Sequence, residues 1–156
     1  LVDPQDFRQQ LSSQLPADIP IYDAIALDLK APAAMKTLFG AEYILTVATT
    51  EIVTLAQCQA WIDSIKNSNE IWWEQTTKSK KTYPVNLRDR LFELELVAPR
   101  DRIGETPNNS TVNLRYAGSC SQDGNHLKPE HIIFMLEQVA HQEIQLLHIH
   151  RQKLVL

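Results

Sequence analysis

Residues 42–65, EYILTVATTEIVTLAQCQAWIDSI, decide how the chain is to be read. Tyr43, Leu45 and Val47 alternate with more polar neighbours, so Glu42–Ala48 is expected to be a strand with one buried face. Thr54 and Gln57 then stand at capping-box spacing, where the hydroxyl and the amide each satisfy an orphan backbone N–H. Leu55, Cys58, Ile62 and Ile65 follow on one side of a helix of roughly three turns. A strand leading into a capped amphipathic helix is the first half of a β-α-β unit.

Further along, Glu70–Thr77 reads as a strand with Trp72 and Trp73 on opposite faces. Ser79-Lys80-Lys81 reads as a turn, and Thr82–Leu87 as a returning arm held to an edge position by Pro84. Phe92, Leu94 and Leu96 alternate with Glu93 and Glu95, the pattern of a half-exposed strand. Pro99–Ser110 is loop-like. Val112, Leu114 and Tyr116 mark another strand, and Gly118–Leu127 a polar loop. Pro129 opens a helix to about Ala140, with Ile132, Leu136 and Val139 on its buried side. Ile144–His150 and Lys153–Leu156 are strand-like. Before all of this, Asp3 and Pro4 start a helix that stops at Pro16. Ile19–Leu29 alternates in part as a strand, and Pro32–Phe39 can form a short helix. The expected architecture is α+β: a ferredoxin-like (split βαβ) antiparallel sheet with helices on one face over 41–156. Residues 1–40 would add an N-terminal helix and strand.

Composition narrows the function. The chain has 156 residues, 44% hydrophobic and 22% charged, which suits one domain or a fragment of one. No apolar run approaches the length of a membrane span, so a cytoplasmic protein without a membrane partner is expected. Cys58 and Cys120 are too few and too far apart for a disulfide framework, a zinc ribbon or an iron–sulfur site. Four glycines and no Gly-rich fingerprint argue against nucleotide-binding loops. His148 and His150 share a strand face but lack further ligands at metal spacing. Glu93 and Glu95 share a face too, which alternation alone explains. The chain starts Leu-Val-Asp, without Met, and reads as a piece of a longer protein.

Charge is the feature that stands out. Lys78, Lys80, Lys81, Arg88 and Arg90 lie within residues 75–90 with Asp89 the one anion there, so the rest of the chain carries −8 of the overall −4. Trp72 precedes this cluster and Tyr83 lies inside it. Cations beside aromatic faces suit phosphate contacts and base stacking, as in binding single-stranded or loop RNA. The same residues equally describe a solvated hairpin tip with tryptophans in the core.

Several stretches taken in order resemble an uncharacterised domain family fused to, or encoded beside, radical SAM Fe–S oxidoreductases. They are Leu15-Pro16, Leu29-Lys30-Ala31-Pro32, Ala41-Glu42-Tyr43, Lys78-Ser79-Lys80-Lys81, Asn86-Leu87-Arg88, Leu127-Lys128-Pro129-Glu130 and Ile149-His150-Arg151 before Leu154. Ser79 stands where the family has a glycine, Asn86 where it has an aspartate and Asp89 where it has a proline. The resemblance covers what would be the C-terminal two-thirds of that domain. It implies a parent enzyme holding a [4Fe–4S] cluster and S-adenosylmethionine in another domain, with neither in this segment. The resulting expectation is a non-catalytic accessory domain that binds RNA, such as tRNA or rRNA, or positions substrate. Its residues would be Lys78, Lys80, Lys81, Arg88 and Arg151, with Trp72 and Tyr83 available for stacking. Two alternatives stand beside it. One is a module docking on the radical SAM domain of the same or a neighbouring chain. The other is part of a composite active site completed by a preceding segment.

Overall fold

The computed structural model describes residues 2–97 and 111–156, so the expected loop at Pro99–Ser110 lies outside the described residues. The chain divides into two compact units, Leu1–Ala33 and Ala34–Leu156. In the first, helix α1 (Pro4–Gln14) is capped by Asp3, whose carboxylate accepts from the N–H groups of Gln5 (2.8 Å) and Asp6 (3.3 Å). Ile19–Leu29 is not a strand. It pairs with no strand among the described residues; Asp28 accepts from Lys30 N–H at a local turn, and Asp23 accepts from Ala24 N–H.

The second unit begins with one helical turn, α2 (Ala34–Thr37), and continues through β1 (Gly40–Thr49), α3 (Leu55–Asn67), β2 (Trp72–Thr76), β3 (Thr82–Asn86), α4 (Leu87–Arg90), β4 (Leu91–Val97), β5 (Thr111–Ser119), α5 (Pro129–Ala140) and β6 (Ile144–Val155). Four strands form one sheet in the order β4-β5-β1-β6, every neighbouring pair antiparallel. With β5 between them, β1 and β4 run parallel. That split β-α-β arrangement, repeated through α5, is the ferredoxin-like topology.

Tyr43, Leu45 and Val47 of β1 and Val112, Leu114 and Tyr116 of β5 point to the same side. There they meet Cys58, Ile62 and Ile65 of α3 and Ile132, Met135 and Leu136 of α5. A buried Leu or Ile in such a cluster contributes about 2 kcal/mol of transfer free energy. The capping box of α3 is complete. Gln57 N–H donates to Thr54 Oγ1 at 3.2 Å and Thr54 N–H to Gln57 Oε1 at 2.8 Å. Leu55 is exposed and takes no part in the buried face.

Two departures from the pattern reading have clear causes. The strand closing the first β-α-β unit is β4, whereas β2 and β3, among the described residues, pair with each other as a separate two-stranded ribbon. The apolar side chains able to face the core sit in β4, while β2 buries none of its side chains fully. Within β4 the simple alternation fails, because a bulge between Leu91 and Glu93 turns Leu91 and Leu94 inward and leaves Phe92 out.

Candidate nucleic-acid interface

The ribbon displays the lysines on a tight turn. Thr77 N–H donates to Lys81 O at 2.8 Å, Lys80 N–H to Thr77 O at 2.9 Å, and Lys81 N–H to Thr77 Oγ1 at 3.2 Å. Lys80 holds φ at 61°, the left-handed region, which costs a non-glycine residue roughly 1 kcal/mol. Ser79 does not need it, so the absence of glycine at 79 carries no backbone penalty. Lys78, Lys80 and Lys81 are exposed, and none has an ion-pair partner among the described residues.

The other expected site residues separate. In the ribbon register Trp72 faces Asn86 and Gln75 faces Tyr83, so Trp72 and Tyr83 lie on opposite faces. Trp72 is 54% exposed, yet its Nε1–H donates to Glu70 at 3.2 Å, placing a carboxylate beside the ring. Tyr83, 42% exposed, is the aromatic nearer the lysine turn. Arg88 belongs to the scaffold. Its Nη2 donates to Lys66 O (3.2 Å), an orphan carbonyl of the last turn of α3, and its Nη1 to Leu91 O (3.0 Å). Arg151 lies in β6 opposite Tyr43, and its charge acts on His126.

Asn86, standing in place of an aspartate, joins ribbon and core. Its Oδ1 accepts from Ile71 N–H (2.9 Å) and Arg88 N–H (3.2 Å), as a carboxylate could, while its Nδ2 donates to Asn69 O (3.2 Å), as a carboxylate could not. Arg90, counted in the charge cluster, is buried; its Nη1 donates to Gln75 Oε1 (3.3 Å) and so ties β2 to the end of α4.

On the face of the sheet away from the helices, Arg115 binds three carboxylates: Glu95 at 2.6 Å, Glu93 at 2.7 Å and Glu42 at 2.9 Å. Burial works to raise the Glu42 pKa, but Arg115 and Lys153 outweigh it and hold the group below its usual range. With three acids around one arginine, this cluster is net acidic and repels a polyanion. Glu93 and Glu95 therefore serve as arginine ligands. His148 and His150 are exposed, opposite Thr46 and Ile44.

One structural histidine escaped the sequence reading. His131 lies at the first turn of α5, accepts the Lys128 N–H on Nδ1 (3.1 Å) and meets the edge of Trp73. Burial pushes its pKa down to about 4. The signal was its third position after Lys128 before an apolar helix, where Gln or Glu is the usual partner.

Among the described residues no group of three or more His, Cys, Asp or Glu is arranged to hold a metal, and no helix is long and apolar enough to cross a membrane. Cys58 is in the core, its thiol pushed up by burial, and no third cysteine exists, so these residues do not fit an iron–sulfur cluster.

The geometry defines a ferredoxin-like α+β domain bearing an inserted, lysine-tipped β-ribbon. The chain belongs to the family described as "Uncharacterized protein conserved in bacteria (DUF2344)", whose model matches residues 1–149. No curated protein matches it. Among solved structures it is similar to a chain of a Cbf5-Nop10-Gar1 complex, with a TM-score of 0.51 and 10% identity over 77% of this chain. At that identity the likeness concerns the fold, and this chain spans 32% of the other's length.

Proposed function

We propose that this chain is an accessory domain of a radical SAM protein that binds RNA through the tip of its ribbon. The carrying observation is three exposed lysines on a hydrogen-bonded turn, none paired to an acid among the described residues. On an acidic body, unpaired cations at the end of a projecting element are placed for phosphate rather than for internal structure. Tyr83 adds one stacking face on the ribbon. The radical SAM context rests on the resemblance over Leu15–Leu154 set out above. Arg88 is withdrawn from the binding set, since its guanidinium is committed to Lys66 and Leu91.

The test is fluorescence anisotropy with bulk tRNA and a structureless RNA across a salt series. A Lys78→Ala/Lys80→Ala/Lys81→Ala variant should bind more weakly, with a salt slope smaller by about 0.7 per lost contact on single strands. Absence of wild-type binding at low salt refutes RNA recognition. The ribbon is then to be examined as a docking element for a radical SAM core.

A further inference from the structure

At the foot of the ribbon, Val85 and Asn86 of β3, Asp89 and Arg90 of α4, Ser119 ending β5 and Asn125 before α5 line a cleft of about 330 Å³. Arg90 is only 9% exposed, yet no carboxylate lies within ion-pair distance of it among the described residues. Its hydrogen bonds there are two long ones from Nη1, to Gln75 Oε1 (3.3 Å) and His126 O (3.5 Å). Its Nε and Nη2 have no partner among the described residues. These two nitrogens are not closed off from solvent, so the guanidinium has donors free for a guest and no carboxylate holding it among the described residues.

A second group in the same cleft is unfinished. Ser119 Oγ is buried without a hydrogen-bond partner among the described residues. The exposed Asn125 side chain makes no hydrogen bond within the described residues. The cleft therefore presents a guanidinium, a hydroxyl and an amide from three different elements. A planar carboxylate is met by the guanidinium fork alone; donors from three elements suit a tetrahedral oxyanion. The surrounding charges are mixed. The neighbouring His126 is held below its usual pKa first by burial, then by Lys128, Arg151 and Arg90. Asp89 on the rim and Asp123, whose carboxyl feels Arg90, oppose a doubly charged guest more than a singly charged one.

We infer that the Arg90 cleft is a phosphate-binding site, formed by Arg90, Ser119 and Asn125 and separate from the lysine tip. The phosphate group is shared by two sources, a free phosphate and the diester backbone of a nucleic acid, and two probes distinguish them.

The experiment follows the Arg90 side-chain Nε–H signal of the whole chain by NMR. Inorganic phosphate and a dinucleoside monophosphate are titrated separately against chloride of matched ionic strength. A saturable shift with either probe supports the site, and tighter binding of the diester assigns the source to nucleic acid. Asn125→Asp replaces a donor to the phosphate with a like charge while breaking no side-chain hydrogen bond within the described residues, and should weaken binding about tenfold with the fold unchanged. Ser119→Ala should weaken it less. The triple-lysine variant should keep the inorganic phosphate response, so failure of RNA binding at the tip leaves this site standing. The inference is overturned if neither probe shifts Arg90 saturably, if Asn125→Asp binds as the wild type does, or if loss of the tip lysines abolishes the response.

Discussion

His131 should make the domain less stable as the pH falls from 6.5 to 4. The ring is 3% exposed, with Nδ1 accepting the Lys128 N–H at the start of α5 and the imidazole edge-on to Trp73. Burial holds its pKa at about 4, against about 6.5 in an unfolded chain. Above pH 7 neither state is protonated, and the group adds no pH dependence. Between 6.5 and 4 the unfolded chain binds a proton that the folded chain refuses, so stability falls as the pH drops. The slope is about 1.4 kcal/mol per pH unit, and the whole loss is about 3 kcal/mol. Below 4 both states are protonated and the loss levels off. Glu42 and Glu95, held low in the fold by their ion pairs, lose stability at lower pH, beginning near 4.5. The assay is urea unfolding from pH 7.5 to 4, with His131→Gln as control. Glutamine at this capping position still accepts from the Lys128 N–H but does not titrate. The variant should show a shallower pH slope than the wild type. A His131 ring titrating near 6.5 by NMR, or equal slopes in the two proteins, would refute the reasoning.

Tyr116→Phe should cost about 1–2 kcal/mol in urea unfolding, because the Tyr116 hydroxyl donates to the buried Leu127 carbonyl at 3.1 Å. Gly118→Ala should cost more, about 2–3 kcal/mol. Its Cβ would meet Leu127 side-chain atoms at 2.7 and 2.8 Å and Arg90 O at 3.0 Å, and a melting curve reads the loss. Lys80→Gly should stabilise the domain by about 1 kcal/mol through relief of the left-handed backbone, even as it removes a cation from the tip. A melting temperature that falls would contradict that account. Asn86→Asp should destabilise by about 1 kcal/mol, since the acceptor bonds survive but the donation to Asn69 O is lost.

Local pattern carried much of the architecture. The capping box at Thr54, the proline opening α5, the alternation in β1 and β5 and the αβ order depend on neighbours a few residues apart. Such neighbours are visible in a linear string. The lysine cluster was legible for the same reason, since its residues are close in sequence and their solvation needs no distant partner. What the string could not show was anything requiring a partner far along the chain. Ile19–Leu29 has strand-like alternation but pairs with no strand among the described residues. β2 resembles a sheet strand, yet β4 takes that place because its bulge delivers Leu91 and Leu94 to the core.

The same limit governs the site. Five cations between 75 and 90 look alike in sequence, but tertiary structure sorts them by what each guanidinium or ammonium meets. Lys78, Lys80 and Lys81 remain in solvent, Arg88 is spent on the carbonyls of Lys66 and Leu91, and Arg90 is drawn under the ribbon toward Gln75 and His126. Trp72 and Tyr83 are split between two faces by antiparallel register alone. The sequence by itself determined the fold class, the helix starts and the sign of the exposed charge. Only the tertiary structure decided which charges are free and which are buried, because long-range packing sets the cost of desolvating each one.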